Sequence, residues 1–286
     1  AFRGIPVDWG MVQTYAQLRL DLASALAEFL DPSEARAEAV RWFEEGLDRS
    51  RSWLAAHGNE PVSEGERGRV EGWLRRRREG EPWAYILGWT VFRGRRFEVD
   101  RSVLIPRPET ELVLEAALEI GHRLKVARAC DVGTGSGILA VSLALETDWE
   151  VAASDLSGPA LAVARRNAEG LGATVRFHEG DLLGPVPGPL GLVVSNPPYV
   201  DPADEAALQR ELAREPRMAL FAPDRGLAVA TRLLEESRRR CAPACVLEIG
   251  SGQGGELAGR ARSLGWKRTA VHQDLAGHDR VLMALG

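Results

Sequence analysis

The sequence has few cysteines and no long apolar run, and each shortage excludes a class of protein. Three cysteines in 286 residues are too few, and odd in number, for a disulfide framework. Cys241 and Cys245 have no second Cys or His pair at zinc spacing, so we expect no metal site. No stretch of about 18 apolar residues exists, which predicts no membrane span. The N-terminal residues also lack the pattern of a secretory signal, so we expect a cytoplasmic protein.

Net charge, composition and chain length further limit the class of protein to which the chain can belong. The net charge is −5, which argues against a long nucleic-acid footprint but leaves room for a local basic patch. Hydrophobic residues make up 45% and charged residues 27% of the chain, as is ordinary for a globular protein. At 286 residues, one large domain or two unequal domains are both compatible with the length.

Residues 1–80 are predicted to form a small, all-helical domain. Apolar residues recur at helical spacing from Met11 to Leu30, and Ser63 offers a cap for a later helix. The predicted helices cover 11–30, 34–47, a turn through Trp53 and Leu54, and a segment after Ser63 that passes Val70 and Leu74. The four arginines at 75–78 are expected to be a solvated helix end, with partner docking as the alternative.

Residues 81–105 are predicted to be a β-hairpin connector, and 106–286 a second domain. Aromatic and β-branched residues at 83–92 and 96–99 flank Arg93-Gly94-Arg95, which is typical of a hairpin. From about residue 126, strand and helix patterns alternate, which predicts an α/β fold with a doubly wound, mostly parallel sheet. Its seven predicted strands are 129–132, 150–154, 174–178, 190–195, 245–249, 267–273 and 281–284, the last two as an antiparallel pair.

One short segment, Ser195-Asn196-Pro197-Pro198-Tyr199, follows an apolar strand and is unusually stiff. The residue before a proline is restricted to extended geometry, and prolines have no N–H. The amide oxygen of Asn196 and the carbonyl of Pro197 are therefore predicted to be two fixed acceptors beside the ring of Tyr199. Such a pair suits a planar –NH2 group, which offers two hydrogens. The alternative interpretation is an ordinary strand-to-loop turn.

A second set of residues points to a nucleotide-like ligand. The first strand of the sheet ends in a glycine loop, Gly133-Thr134-Gly135-Ser136-Gly137, before a predicted helix N-terminus that favours an anionic group.

Two acids follow the next strands. Asp155 follows the second strand and can accept hydrogen bonds from both ribose hydroxyls. Asp181 follows the third strand and can accept an adenine amino hydrogen. Because ligands of doubly wound sheets bind at the carboxyl ends of the strands, we expect these residues and Asn196 to share a site.

The stretch 250–255 also matches the G-x-G-x-x-G pattern of dinucleotide sites. Only some thirty residues follow it, which is too few for a dinucleotide-binding half. We therefore interpret it as the turn after the fifth strand.

These residues, together with several longer stretches, resemble those of a known protein family. The glycine loop, Asp155, Asp181 and the Asn-Pro-Pro-Tyr segment resemble class I S-adenosylmethionine-dependent methyltransferases that act on an exocyclic or amide nitrogen. The stretches 83–88, 104–111, 247–250 and 274–280 are similar to the PrmC (HemK) family. The similarity covers residue 80 to the C-terminus, and the helical N-terminal region fits the family's layout.

The resemblance implies an enzyme that methylates the glutamine side chain in the Gly-Gly-Gln motif of peptide chain release factors. It implies S-adenosylmethionine as cofactor, S-adenosylhomocysteine as product, and a helical domain that helps hold the release factor. The predicted catalytic residues are Asn196, Pro197 and Tyr199, and Pro198 joins them in substrate binding. The predicted cofactor-binding residues are 133–137, Asp155, Asp181, Leu182 and Asn196.

The chain departs from the family after the third strand, where an aromatic is usual. Leu182-Leu183 stands there, so the adenine packing is expected to be aliphatic. By resemblance, Arg107 and Glu109 are expected to roof the pocket, with structural ion pairing as the alternative.

Two other functions remain open at this point. Asn-Pro-Pro-Tyr also serves adenine N6 and guanine N2 methylation, so a nucleic-acid amino methyltransferase is the first alternative. Such an enzyme usually needs a basic surface, and the acidic total argues against it. A cofactor-binding module without catalysis would require the Asn-Pro-Pro-Tyr segment to be incidental.

Overall fold

The computed structural model describes residues 13–207 and 211–286. Contacts divide the chain into two compact units, one that ends at Leu87 and one that covers Gly88–Gly286. The helices of the first unit are α1 (Tyr15–Leu26), α2 (Pro32–Arg41), α3 (Arg51–His57), α4 (Glu64–Arg78) and α5 (Trp83–Leu87), with a π-helical turn at Trp42–Gly46. The predicted helical character of this region is confirmed, while the predicted start at Met11 lies outside the described residues.

The side chains of Thr14, Ser50 and Ser63 accept backbone N–H groups at the start of α1, α3 and α4. Each cap satisfies a donor that the first helical turn leaves without a partner. The prediction that Ser63 caps a helix is confirmed.

The core of the first unit contains an aromatic cluster around Trp42. The rings of Trp42 and Trp83 stack 4.6 Å apart, and Trp73 meets both edge-on. The same unit contains a buried ion pair, in which Arg77 Nε donates to Glu38 Oε1 at 2.7 Å. Both side chains are no more than 3% exposed. The expectation that the arginines form a solvated helix end is therefore wrong for Arg77, because a carboxylate from α2 lies opposite its position on α4.

Residues 83–92 were predicted to be the first arm of a hairpin, and only their end is a strand. Trp83–Leu87 is the helix α5, and the hairpin strands are β1 (Trp89–Phe92) and β2 (Arg95–Glu98). Trp83 and Ile86 pack into the core of the helical unit, so tertiary packing determines the local conformation there. Arg93 and Gly94 form the turn with positive φ, as a tight hairpin requires.

The second unit is built on a seven-stranded sheet, as predicted. Its strands are β3 (Arg128–Val132), β4 (Glu150–Asp155), β5 (Val175–Glu179), β6 (Leu192–Ser195), β7 (Ala244–Glu248), β8 (Arg268–Gln273) and β9 (Asp279–Leu285). Their order is β5-β4-β3-β6-β7-β9-β8. Five strands are parallel, and β9 runs antiparallel between β7 and β8.

Helices cover both faces of this sheet. Helices α6 (Thr110–Leu124), α7 (Ile138–Glu146) and α8 (Gly158–Leu171) contribute to one apolar core, and α10 (Ala228–Arg239) and α11 (Gly254–Ser263) to the other. A short helix, α9 (Arg217–Leu220), lies in the long connection after β6, together with 3₁₀ turns at Pro202–Ala207 and Leu212–Arg214. Among the described residues, no helix combines the length and the apolar character that a membrane span requires.

The buried pair in the first unit gives a stability prediction. Glu38→Ala should destabilise the protein by about 3–5 kcal/mol, because it removes the buried carboxylate to which Arg77 Nε and Nη2 donate. The exposed pair of Arg78 and Glu28 is the matched control, and Glu28→Ala should cost less than about 1 kcal/mol. Urea unfolding followed by tryptophan fluorescence measures both. Equal losses for the two variants would contradict the assignment.

Candidate active site

A cavity of about 260 Å³ opens at the carboxyl edge of the sheet, where the strand order reverses between β3 and β6. The chain leaves β3 toward β4 and β5 and later crosses back to β6, so the loops after β3 and β6 diverge. Residues that follow β3, β4, β5 and β6 all line the cavity. They include Gly133, Thr134, Gly135, Ser136, Asp155, Asp181, Leu182, Asn196, Pro197 and Pro198.

The glycine loop has the backbone geometry that its composition predicts. Gly133, Gly135 and Gly137 have φ angles of 68°, 55° and 86°. A Cβ on Gly133 or Gly135 would meet no atom within 4 Å, so these two glycines leave space at the cavity wall. Gly137 lies against α8, where a Cβ would come within 3.1 Å of Ala164 Cβ. The first two glycines therefore shape the cavity, and the third allows helix packing.

Asp155 holds the glycine loop in place. Its Oδ2 accepts a hydrogen bond from Gly135 N at 2.9 Å, and its Oδ1 accepts one from Ser157 N at 2.9 Å. Burial raises the pKa of the carboxyl, while the two backbone donors oppose the rise. Each oxygen keeps a further lone pair, so the side chain can still accept hydrogen bonds from a ligand.

Asp131, at the end of β3, is a site residue to which the sequence analysis gave no role. It lines the cavity and is 1% exposed. Its Oδ2 accepts hydrogen bonds from Thr134 Oγ1 at 2.6 Å and Ala140 N at 3.1 Å. Its Oδ1 has no partner within the described part of the chain. Burial raises the pKa of this carboxyl to about 7, with the Asp155 charge as a smaller cause.

Asp181 and Leu182 form the wall after β5. The Asp181 side chain is exposed and accepts a hydrogen bond from Arg232 at 2.6 Å, and Arg232 lines the same cavity. Leu182 has a positive φ of 47°, and its carbonyl accepts a hydrogen bond from Ser154 Oγ at 2.7 Å. This contact fixes a strained backbone next to the cavity. Leu156, which is 60% exposed, gives the cavity a second aliphatic wall.

The Asn-Pro-Pro segment after β6 also lines the cavity. Asn196, Pro197 and Pro198 line it, and Asn196 Nδ2 donates to Thr110 Oγ1 at 3.2 Å. Tyr199 is not among the described residues that line the cavity. Its backbone carbonyl accepts a hydrogen bond from Gln253 at 3.0 Å, and its ring lies close to Gly250. The predicted contact between the Tyr199 ring and a substrate therefore stays a prediction.

A buried carboxylate behind this segment was not assigned a role from the sequence. Glu248, at the end of β7, is 1% exposed. It accepts hydrogen bonds from Thr110 Oγ1 at 2.6 Å and from Tyr199 Oη at 3.2 Å. Burial raises the pKa of Glu248 to about 7 and also raises the pKa of the Tyr199 hydroxyl. Both Thr110 and Glu248 lie in stretches that resemble the family, 104–111 and 247–250, and that was the available signal.

Two segments cover the cavity. The first contributes Ser102, Val103, Leu104 and Pro106, and the second contributes Pro216, Met218 and Ala219. Arg107 and Glu109, which were expected to form this roof, are not among the described lining residues. Arg107 instead donates to the buried Glu215 at 2.5 Å, and Glu215 also accepts from Ile105 N at 3.0 Å. Through Glu215, Arg107 and Ile105 therefore link the two roof segments.

The stretch 250–255 is the turn after β7, as we interpreted it. Gln253 Oε1 accepts a hydrogen bond from Gly250 N at 2.8 Å, and α11 begins at Gly254. Within residues 13–207 and 211–286, no group of three or more His, Cys, Asp or Glu side chains is arranged to hold a metal ion.

The doubly wound sheet, with its strand-order reversal between β3 and β6 and its antiparallel β9, has the fold of class I methyltransferases. Solved structures share this fold. The hMettl16 catalytic domain in complex with MAT2A 3′UTR hairpin 1 aligns with a TM-score of 0.58 at 15% identity, covering 93% of this chain and 91% of that one. A methyltransferase from Pyrococcus furiosus aligns with a TM-score of 0.50 at 16% identity, covering 78% and 98%.

Sequence comparison narrows the class to one family. A family model described as the PrmC N-terminal domain matches residues 19–88, and one described as the methyltransferase small domain matches residues 110–239. A release factor glutamine methyltransferase from Bordetella pertussis is 41% identical over 256 residues, covering 88% of this chain and 95% of the relative. Relatives of the same name from Neisseria gonorrhoeae (42%, covering 82% and 87%) and Bacillus subtilis (38%, covering 88% and 91%) agree. The chain belongs to the release factor glutamine methyltransferase family.

The buried Asp131 gives a prediction for stability against pH. Its pKa is raised from 3.8 to about 7 in the folded protein, so the folded state holds a proton that the unfolded state has released. The contribution of Asp131 to the free energy of unfolding of the ligand-free protein should therefore fall as pH rises from about 4 to 7, by up to about 1.4 kcal/mol per pH unit.

Asp131→Asn should remove this contribution, because the amide does not titrate. The control is Asp148→Asn, which changes an exposed acid on the same unit. Urea midpoints between pH 4.5 and 7.5 test the prediction. It fails if the Asp131→Asn protein keeps the pH slope of the wild type.

Proposed function

We propose that this enzyme transfers a methyl group from S-adenosylmethionine to the side-chain amide nitrogen of the glutamine in the Gly-Gly-Gln motif of peptide chain release factors. One observation carries the proposal. The glycine loop and the acceptor pair of Asn196 and Pro197 line a single cavity, so a cofactor and an amide can meet there. The names of the relatives supply the class of substrate.

The cavity residues fit S-adenosylmethionine. The space at Gly133 and Gly135 lets the ligand approach the backbone, and Asp131 Oδ1 offers an unused acceptor to its ammonium group. Asp155 is suited to the ribose hydroxyls, Asp181 to the adenine amino group, and Leu182 to the adenine face. When bound, the cofactor supplies a methyl group on a positively charged sulfur, and S-adenosylhomocysteine is the product.

The acceptor pair compensates for the weak nucleophilicity of an amide. The nitrogen lone pair of an amide is delocalised into its carbonyl, so the nitrogen must be oriented and allowed to pyramidalise. Asn196 Oδ1 and the Pro197 carbonyl accept the two –NH2 hydrogens and hold the nitrogen toward the methyl group. Positioning of this kind can contribute ~7–11 kcal/mol to lowering the barrier. The same two oxygens stabilise positive charge that develops on the nitrogen.

The same pair selects glutamine over glutamate. A glutamate carboxylate has no hydrogen to offer, so both acceptors would be left facing negative oxygens. Sites that hydrogen-bond a substrate group reject analogues that lack it, because buried polar atoms then stay unpaired.

The helical unit that ends at Leu87 is the part proposed to hold the release factor. Its support is the family model of the N-terminal domain, which ends at residue 88 and does not extend into the sheet. Translation termination takes place in the cytoplasm, and we place the enzyme there.

The testing experiment is methyl transfer from labelled S-adenosylmethionine to a purified release factor, beside a version whose Gly-Gly-Gln glutamine is changed to glutamate. Label on the wild-type factor alone is the expected result. Label on neither factor, with label on RNA or DNA instead, would overturn the proposal and assign the enzyme to nucleic-acid amino groups.

Two substitutions should separate chemistry from cofactor binding. Asn196→Ala should lose most turnover and keep most of its affinity for S-adenosylhomocysteine, because it removes a substrate acceptor and leaves the other predicted cofactor-binding residues in place. Asp155→Ala should weaken the affinity for S-adenosylhomocysteine more than it lowers turnover at saturating cofactor. It removes the ribose acceptor and the hydrogen bond that supports Gly135. Calorimetric titration and initial rates measure the two effects. Near wild-type turnover in Asn196→Ala would exclude the proposed acceptor role.

A further inference from the structure

We propose that Thr110 and Glu248 are positioning residues that fix the orientation of the Asn196 side-chain amide, so that its oxygen faces the substrate. The inference rests on the proposed function, in which Asn196 Oδ1 accepts a hydrogen from the substrate amide. It assigns a role to two buried side chains on α6 and β7 that lie behind the cavity wall.

The direction of the hydrogen bonds follows from counting hydrogens. A threonine hydroxyl has one hydrogen, and an ionised carboxylate only accepts. Thr110 Oγ1 lies 2.6 Å from Glu248 Oε2, so its hydrogen goes to the carboxylate. The contact of 3.2 Å between Thr110 and Asn196 must then be donated by Asn196 Nδ2. With its nitrogen committed to Thr110, the amide has its oxygen on the opposite branch.

The opposite orientation of Asn196 would be unproductive. It would turn an –NH2 group toward the –NH2 group of the substrate, so that donors would face each other. It would also place the amide oxygen against Thr110, which has no hydrogen left. Glu248 therefore excludes the wrong orientation through Thr110 without touching the substrate.

The same carboxylate also holds the other end of the segment. Glu248 Oε1 accepts the hydrogen of the Tyr199 hydroxyl at 3.2 Å. Thr110 is fully buried and Glu248 is 1% exposed. In such surroundings an unsatisfied donor or acceptor is unfavourable, so the arrangement of these hydrogen bonds is strongly determined.

The arrangement depends on an ionised Glu248. The groups that face it are Thr110 and Glu109 at the start of α6, Tyr199 after β6 and Arg280 on β9. Burial raises the pKa of Glu248 to about 7, Glu109 adds to the rise, and Arg280 opposes it. A protonated Glu248 can donate to Thr110, whose own hydrogen is then free to turn toward Asn196. Protonation of Glu248 at low pH should therefore allow the Asn196 amide to adopt the unproductive orientation.

The first test compares two substitutions of Thr110 at saturating cofactor. Thr110→Val keeps the shape and removes the acceptor for Asn196, and kcat should fall by about tenfold, the equivalent of about 1.4 kcal/mol. Thr110→Ser keeps the hydroxyl and should retain most of the wild-type kcat. The Kd for S-adenosylhomocysteine should stay within about twofold in both variants, because one lost hydrogen bond outside the cavity changes no ligand contact.

The second test is the pH profile of kcat for Glu248→Gln. The wild-type kcat should fall as pH drops below about 7, since protonation removes the ionised form that fixes the amide. The glutamine side chain can still accept from Thr110 through its oxygen and cannot be protonated in this range. Its profile should therefore lose the acid limb, while its rate at pH 8 stays below that of the wild type.

The outcomes separate this inference from the proposed function. An inactive wild type on release factors would refute the proposed function. An active wild type with equal kcat in Thr110→Val, or an acid limb unchanged in Glu248→Gln, would overturn the positioning role and leave the proposed function intact. A matched loss of kcat, cofactor affinity and melting temperature in both Thr110 variants would show a purely structural role.

Discussion

The reversal of strand order at β3 is the constraint on which the rest of the site depends. Parallel strands end at the same edge of a sheet, so a chain that runs from β3 to β5 and then returns to β6 collects all its strand-end residues there. Asp131, Asp155, Asn196 and Glu248 are spread over more than a hundred residues of sequence and lie at this one edge. The divergence of the loops after β3 and β6 creates the cavity between them.

This edge concentrates acids that water would stabilise better than the protein does. Burial raises the pKa of Asp131, Asp155 and Glu248, so each carboxylate is less stable here than in solvent. Asp155 is held by backbone N–H groups and Glu248 by hydroxyls, whereas one oxygen of Asp131 has no partner among the described residues. A ligand with positive charge would relieve that cost. The proposed cofactor carries both an ammonium and a sulfonium.

The sequence predicted the sheet well because strand signals there are local. The inner strands β3, β6 and β7 are short, mainly apolar runs followed within two residues by Gly or Asn, and this pattern depends on no distant residue. The prediction of a hairpin arm was wrong at residues 83–87, because a distant contact determines the conformation there. Residues 83–87 are rich in residues typical of strands, but Trp83 stacks on Trp42, forty-one residues earlier in the sequence. Packing there favours a helix. The exposed appearance of the arginines at 75–78 was equally misleading, because the partner of Arg77 lies on another helix.

The residues of the candidate site also differ in whether local sequence or a distant contact determines their role. Residues 133–136, Asp155 and the Asn-Pro-Pro segment carry their geometry in their own residue types, and all of them line the cavity. Thr110 and Glu248 gain their roles only through a contact across 138 positions, which spacing along the chain cannot reveal. Asp131 lies two residues before Gly133 in the sequence, but only its burial distinguishes it from an ordinary residue at a strand end.

An acceptor pair for an –NH2 group does not by itself distinguish a glutamine amide from an adenine. The fold does not distinguish them either, since a catalytic domain solved with an RNA hairpin shares it at 15% identity. The choice must therefore lie in the surface that receives the rest of the substrate. Nucleic acid would need cations free to meet phosphates. Here the net charge is −5, and many arginines of the described chain, such as Arg166, Arg232 and Arg260, are already paired with carboxylates. That balance of charge favours a protein substrate over a phosphate backbone.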